Sequence, residues 1–248
     1  MMKIDIITIF PEMFTGPLTE SLIQKARDKG ILKINLVDPR SFTKDRHHVV
    51  DDRPFGGGPG MVMKPGPLYD ALKSLKAIKG RRAGSGSPLK KPLVIYLSPQ
   101  GKALDTGTAR ALAKHEHLVL VCGRYEGIDE RVMGWIDREI SIGDYVLTGG
   151  ELPAMVLIDA VSRNLPGVVK EAGSVENDSF FNGLLDFPNY TRPAVFMGKG
   201  IPDILLSGHH AKIEQWRRQQ SLKRTADKRP DLLKKLKLSR EDKKLLKQ

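Results

Sequence analysis

Residues 3–10 set Ile4, Ile6 and Ile9 among polar and small neighbours, a period near two that predicts a strand. Leu18, Leu22, Ile23 and Ala26 then recur on one helical face, and Gly30 stops the run, so a helix is expected over 18–29. Residues 32–37 read as a second strand. A β-α-β opening predicts an α/β layer with parallel strands. Residues 38–66 are irregular in pattern, and structureless stretches of that length inside a domain are usually functional or disordered. Residues 68–78 look helical, and residues 79–92 form a Gly/Ser/Lys-rich link that reads as a mobile linker. Residues 93–98 and 118–122 are short continuous apolar runs suited to buried strands, with a helix over 106–114 between them. Residues 140–142 are a third short strand candidate, and 152–161 an apolar helix with Pro153 in its first turn.

After Asn164 the texture changes. Residues 165–179 carry Gly and polar side chains in the manner of a linker, and beyond them lies a small basic unit with helical patterning. Trp216 sits there among Arg217, Arg218 and Lys223; Pro230 punctuates it, and Ser239-x-x-Asp242 caps a last helix. The expected division is a domain over 1–162, a linker over 163–179 and a C-terminal domain over 180–248. No internal repeat is visible.

Composition narrows the function classes. The 248 residues suit one large or two modest domains. Cys122 is the sole cysteine, so no intrachain disulfide and no thiolate metal cluster is expected, and a reducing compartment fits. Asp5 interrupts the N-terminal apolar run too early for a secretory signal core, and no stretch of about 18 apolar residues occurs. A cytoplasmic protein without membrane contact is expected. Lys and Arg number 41 against 29 acidic residues, net +12, and the excess crowds into 212–248. Such a field attracts polyanions. A solvated surface is the plain alternative, but a basic tail on a near-balanced body favours a nucleic-acid surface.

Three of the buried runs lead into glycine-bearing loops: Ile95-Tyr96-Leu97-Ser98-Pro99-Gln100-Gly101, Val121-Cys122-Gly123-Arg124-Tyr125-Glu126-Gly127, and Ile142-Gly143-Asp144-Tyr145-Val146-Leu147-Thr148-Gly149-Gly150-Glu151. In open α/β sheets ligands bind beyond the carboxyl ends of strands, and glycine lets main-chain amides approach them. Each loop alone is an ordinary turn; three in succession predict a pocket. Residues 56–64 lack the Gly-Lys-Ser/Thr ending of a P-loop, and no G-x-G-x-x-G follows a strand, which argues against an ATPase or a conventional dinucleotide enzyme. The pairs His47/His48 and His209/His210 lack supporting ligands, so no metal site is expected from them.

These loops, together with Asp51-Asp52-Arg53-Pro54-x-Gly56-Gly57-Gly58-Pro59-Gly60-Met61, Asp178-Ser179-Phe180, Tyr190-Thr191-Arg192-Pro193 and Ser207-Gly208-His209-His210, resemble the bacterial tRNA (guanine-N1)-methyltransferases of the TrmD family, SPOUT class. The resemblance runs from the first strand to about Arg224. The link near residues 79–91 is longer than the family pattern, and the residues after Arg224 match no motif of it. The resemblance implies an α/β SPOUT-type domain with a trefoil knot and a parallel sheet, joined by a flexible linker to a small all-helical C-terminal domain. It implies a homodimer whose active site is shared between subunits, with tRNA as partner and S-adenosylmethionine as cofactor. The reaction implied is methylation of N1 of guanosine at position 37, next to the anticodon.

Carried over by resemblance, the cofactor is held by Tyr96, Leu97, Ser98, Pro99, Gln100 and Gly101, by Gly123, Tyr125 and Glu126, and by Ile142, Gly143, Asp144, Tyr145, Val146, Leu147, Gly149, Gly150 and Pro153. Asp178 is the implied general base and Arg163 the implied guanine contact. Asp51, Asp52, Arg53, Gly58, Ser174, His209, His210, Arg217 and Arg218 are implied substrate contacts. For Glu126 three roles stay open: balancing the sulfonium charge, binding a magnesium ion, or accepting a structural hydrogen bond. Cys122 is expected to pack as a small apolar residue and Trp216 to pack the C-terminal helices. Two rival readings are a SPOUT enzyme acting on another RNA base and a non-enzymatic RNA-binding module; the latter leaves the glycine loops without a purpose.

Overall fold

A computed structural model of the chain describes residues 1–78, 91–169 and 178–247. They fall into two compact units, Met1–Lys170 and Glu171–Gln248. The first unit contains strands β1 (Met2–Ile7), β2 (Leu32–Val37), β3 (Asp51–Asp52), β4 (Val62–Met63), β5 (Leu93–Ala103), β6 (His117–Cys122) and β7 (Arg138–Ser141). Its helices are α1 (Ser21–Asp28), α2 (Pro65–Ser74), α3 (Thr106–Leu112) and α4 (Glu151–Ser162). Five strands form one sheet in the order β2-β1-β6-β5-β7, every pair parallel. The mixed α/β class with a parallel sheet is therefore as the sequence predicts.

Strand alternation explains why the central runs look uniformly apolar. Ile4, Ile6, Ile95, Leu97, Leu118, Leu120 and Cys122 face one cluster, with Ile23 and Ala26 of α1, Leu112 of α3 and Leu157, Ile158 and Val161 of α4. Ile7, Val94, Tyr96, Val119 and Val121 face the other, with Leu68, Ala71 and Leu72 of α2. A sheet covered on both faces needs apolar side chains at every position. Among the described residues the strands also bury Asp5, Ser98 and Ser141, and Asp5 carries a charge. The Asp5 carboxylate is buried in β1 and accepts from Asn35 at 2.7 Å, with the His117 ring at 2.6 Å and the Lys3 ammonium at 2.7 Å. Burial opposes its ionisation, but those partners outweigh it and hold its pKa below the usual carboxylate value.

Several boundaries differ from the expectation. β1 stops at Ile7, because the Thr8 hydroxyl turns inward and Phe10 N–H donates back to it at 3.0 Å. α1 begins at Ser21, and Leu18 is buried from the preceding turn rather than from the helix. The irregular stretch 38–66 contains a 3-10 turn, Pro39–Phe42, and the antiparallel pair β3–β4. The expected linker over 163–179 begins inside the first core, where Leu165 and Val168 are buried. Its residues 170–177, and residues 79–90 of the Gly/Ser/Lys-rich link, lie outside the described residues.

In the second unit, α5 (His210–Lys228), α6 (Pro230–Lys235) and α7 (Arg240–Leu245) pack around Leu184, Leu222 and Leu245. Ser239 and Asp242 form a reciprocal capping box at the start of α7. Arg218 donates to Asp242 twice, at 2.8 and 3.1 Å, and this pairing together with the Ser239 N–H bond lowers the Asp242 pKa to about 2 against a smaller opposing effect of burial. The expectation of an all-helical unit needs correction: strands β8 (Val195–Phe196) and β9 (Lys199–Gly200) pair as a hairpin. Met197 and Gly198 between them both take positive φ, the type I′ geometry that closes a two-residue hairpin loop.

Candidate active site

The carboxyl ends of β5, β6 and β7 open into a pocket whose empty space, open solvent included, is about 830 Å³. Its walls are the three glycine-bearing loops. In the first, Leu97 and Lys102 of β5 both stand opposite Ile140 of β7, so residues 98–101 are extruded from the ladder as a bulge. Gly101 permits the return: a Cβ there would fall 2.5 Å from the Glu139 carbonyl carbon. In the second and third loops, Gly150 N–H donates to the Gly123 carbonyl at 2.9 Å, and Arg124 and Gly149 form an antiparallel bridge. Gly150 tolerates no side chain, since a Cβ would meet the Cα of Cys122 at 2.7 Å. At Gly123 a Cβ would meet the Tyr96 hydroxyl at 2.8 Å. Main chain therefore lines the pocket where side chains cannot fit.

Tyr96 is 9% exposed. Burial and the nearby Glu139 carboxylate push its pKa up, a backbone hydrogen bond at Ile128 working the other way, so the phenol stays neutral at physiological pH. Burial likewise pushes the Cys122 thiol well up, Glu151 adding to the effect and Arg124 opposing it. Cys122 is thus an inert packing residue.

A charged strut braces the second loop against the third. Glu151, the first residue of α4, is 1% exposed; its Oε1 accepts from the Thr8 hydroxyl at 2.9 Å and its Oε2 from Arg124 Nε at 2.9 Å. Arg124 also donates to the Thr148 carbonyl at 3.2 Å and lies over the Phe10 ring at 4.4 Å. One guanidinium therefore touches both loops and the chain that follows β1. A carboxylate in the first turn of a helix also faces the positive end of the helix dipole.

Of the residues expected to hold a cofactor, Tyr96, Leu97, Ser98, Pro99, Gln100, Gly123, Tyr125, Glu126, Ile142, Gly143, Tyr145, Val146, Leu147, Gly149, Gly150 and Pro153 line this one pocket. Gly101 and Asp144 do not: the first is wedged between strands and the second is exposed on the loop. The glycine-rich segment reaches the rim. Glu126 N–H donates to the Met61 carbonyl at 3.0 Å, Met63 N–H donates to the Gly127 carbonyl at 3.0 Å, and a Cβ at Gly60 would fall 2.6 Å from Glu126 Cγ. Asp51 and Asp52 sit on β3 of the same segment, with Lys64 3.7 Å from Asp52; Arg53 and Gly58 are exposed there. Arg163 closes α4 at its C-cap and is half-buried.

The remaining residues belong to the second unit. Asp178 lines a hollow of about 570 Å³ with Asn182, Phe187, Glu214, Arg217 and Arg218. Arg217 pairs with Glu214 at 2.6 Å and lies 4.9 Å over the Phe187 ring, while Arg218 is engaged with Asp242. His209 and His210 are exposed where α5 begins, and Trp216 is half-buried beside Tyr190, ring centroids 6.5 Å apart. Ser174 lies outside the described residues. Among the described residues no three His, Cys, Asp or Glu side chains are grouped to hold a metal ion.

Comparison with known proteins decides the family. The family model described as tRNA (Guanine-1)-methyltransferase TrmD matches residues 2–235. The chain belongs to this family. A curated relative from Endomicrobium trichonymphae, named tRNA (guanine-N(1)-)-methyltransferase, is 63% identical over 234 residues, 94% of this chain and 100% of the relative. Relatives of the same name from Moorella thermoacetica (54% identical) and Pseudomonas fluorescens (55%) each cover 99% of this chain and 95% of their own length.

Sequence reasoning gave Arg124, Thr148 and Glu151 no role of their own, although they stand in the quoted loops, and it left out Thr8. A faint signal existed. Arg124 stands inside a glycine loop, and Glu151 opens an otherwise apolar helix, so a buried charge there demands a partner. Nothing local identified Thr8 as one of them.

Proposed function

We propose that this chain transfers the methyl group of S-adenosylmethionine to N1 of guanosine at position 37 of tRNA, next to the anticodon. The supporting observation is the three-loop pocket of a chain in a tRNA (guanine-N1)-methyltransferase family: its glycine-cleared walls suit a ligand gripped by main-chain groups. The extruded loop 98–101 fits the SPOUT arrangement, in which we place the cofactor in a trefoil knot. The division proposed is a cofactor domain over 1–162, a linker over 163–179 whose first residues, Leu165 and Val168 among them, pack on the cofactor domain's core, and a tRNA-binding domain over 180–248. A homodimer with its active site shared between subunits, and a cytoplasmic location, complete the proposal.

The cofactor supplies an electrophilic methyl group on a sulfonium, so the chain's own work is positioning and proton removal. Guanine N1 bears a proton and is a poor nucleophile while it keeps it. As the N1–methyl bond forms, the Asp178 carboxylate accepts that proton, and Arg163 steadies charge on the guanine O6. Tyr96 and the 142–150 loop orient the donor, with Glu126 at the rim balancing positive charge or holding a magnesium ion. Asp51, Asp52, Arg53, Gly58, Ser174, His209, His210, Arg217 and Arg218 contact the RNA. The deciding experiment incubates the protein with labelled S-adenosylmethionine and unmodified tRNA transcripts and maps the modified nucleotide. Label on N1 of guanosine 37 is the expected result. Label on another base changes the substrate site, and absence of binding to S-adenosylmethionine by calorimetry refutes the enzyme reading.

A further inference from the structure

Between Asp186 and Asp203 the chain carries no acidic residue, while Arg192 and Lys199 supply positive charge and Tyr190 and Phe196 supply rings. The β8–β9 hairpin occupies this stretch. It pairs Val195 with Gly200 and Phe196 with Lys199, and Ile201 N–H donates to the Ala194 carbonyl at 3.0 Å. Directly opposite residues of an antiparallel pair project from the same face, so Phe196 and Lys199 share one face of the hairpin. Every residue from 189 to 200 is exposed, with Phe196 at 65%, Val195 at 62% and Met197 at 87%. Single exposed apolar side chains are ordinary. Three in succession on a tightly turned hairpin, bordered by cations and free of anions, form a surface with one suitable chemistry. An open ring face stacks on an unpaired base, and an adjacent ammonium meets a phosphate. A second copy of the chain suits it less. From 178 to 248 there are sixteen Lys and Arg against eight Asp and Glu, and like-charged faces repel.

We propose that this hairpin holds single-stranded RNA, Phe196 stacking on an unpaired base of the tRNA while Lys199 meets a neighbouring phosphate. The inference rests on the tRNA reading above and adds where the substrate is gripped away from the methyl donor.

The test uses the full chain and its Phe196→Ala, Phe196→Trp and Lys199→Gln variants, with anisotropy of labelled unmodified tRNA read at several salt concentrations. Phe196→Ala is expected to weaken binding by about 5- to 100-fold, the effect of losing one stacked base, and to leave the salt slope unchanged. Lys199→Gln is expected to flatten that slope by about 0.7, one single-strand phosphate contact. Phe196→Trp is expected to keep the affinity and to add emission, relative to the unsubstituted chain, that tRNA quenches. S-adenosylmethionine affinity, measured by calorimetry, stays unchanged in all three. Undiminished tRNA affinity in Phe196→Ala overturns the inference, as does unquenched emission in Phe196→Trp. A change in sedimentation with tRNA affinity intact assigns the surface to a second copy and overturns it too. Failure of the unsubstituted chain to bind tRNA removes the reading beneath it as well, so the two failures are distinct.

Discussion

Replacing Arg124 by Met isolates the strut beneath the pocket. The substitution keeps most of the side-chain volume and removes the charge. It leaves the Glu151 carboxylate, 1% exposed as a side chain, with only the Thr8 hydroxyl as side-chain partner among the described residues. Breaking a buried ion pair from one side costs about 3–5 kcal/mol, because the remaining charge stays desolvated. The Arg124 side chain is itself 14% exposed, so water reaches the vacated space and the lower end of that range applies. Against a typical domain stability of about 5–15 kcal/mol, such a loss is readily measured. Two effects should separate. Urea unfolding reports the stability loss, and calorimetry with S-adenosylmethionine reports loosening of the two loops that Arg124 ties together through Glu151 and Thr148. The double variant Arg124→Met with Glu151→Leu removes both charges and should regain much of the stability, yet should not regain cofactor affinity. A loss below about 1 kcal/mol in Arg124→Met, the scale of an exposed pair, would refute the reasoning.

Other outcomes follow from the same geometry. Asp178→Ala should keep S-adenosylmethionine binding and lower turnover by about 10²–10⁴-fold, the scale of a lost general base; near-normal single-turnover rates would remove it from that role. Gly150→Ala drives a methyl into the backbone at Cys122, 2.7 Å away, so cofactor affinity should fall at least about tenfold while the sheet persists by circular dichroism. Because Asp5 and Asp242 have lowered pKa values in the fold, their ionised forms stabilise it above the ordinary carboxylate pKa, and that stability drains as pH falls below the ordinary carboxylate value, for Asp242 down through about 2. Asp242→Asn should flatten the acid limb of a stability–pH curve; an unchanged limb would contradict the Arg218 pairing. Neutralising Lys212, Arg217 and Lys223 together should weaken tRNA binding and reduce its salt dependence, and an unaltered salt slope would place the RNA elsewhere.

What the chain's order alone determined was local. Period-two and period-3.6 spacing located β1, α1, β2, β6 and α4 to within a few residues, because the burial of a face is written into neighbouring positions. The glycine loops were legible because main-chain conformations closed to other residues are marked by the residue itself, as at Gly143 with φ of 152°. The hairpin of the second unit escaped, since two-residue strands carry too little pattern to register. So did the bulge at 98–101, where an apolar run gives no sign that Leu97 and Lys102 will share one partner on β7. Tertiary structure decided the strut as well: Thr8 and Glu151 meet across 143 residues of chain. No local propensity encodes that meeting. It exists because β1 and the start of α4 reach the same end of the sheet, and a carboxylate buried there had to find its hydrogen bonds among whatever the fold brought near.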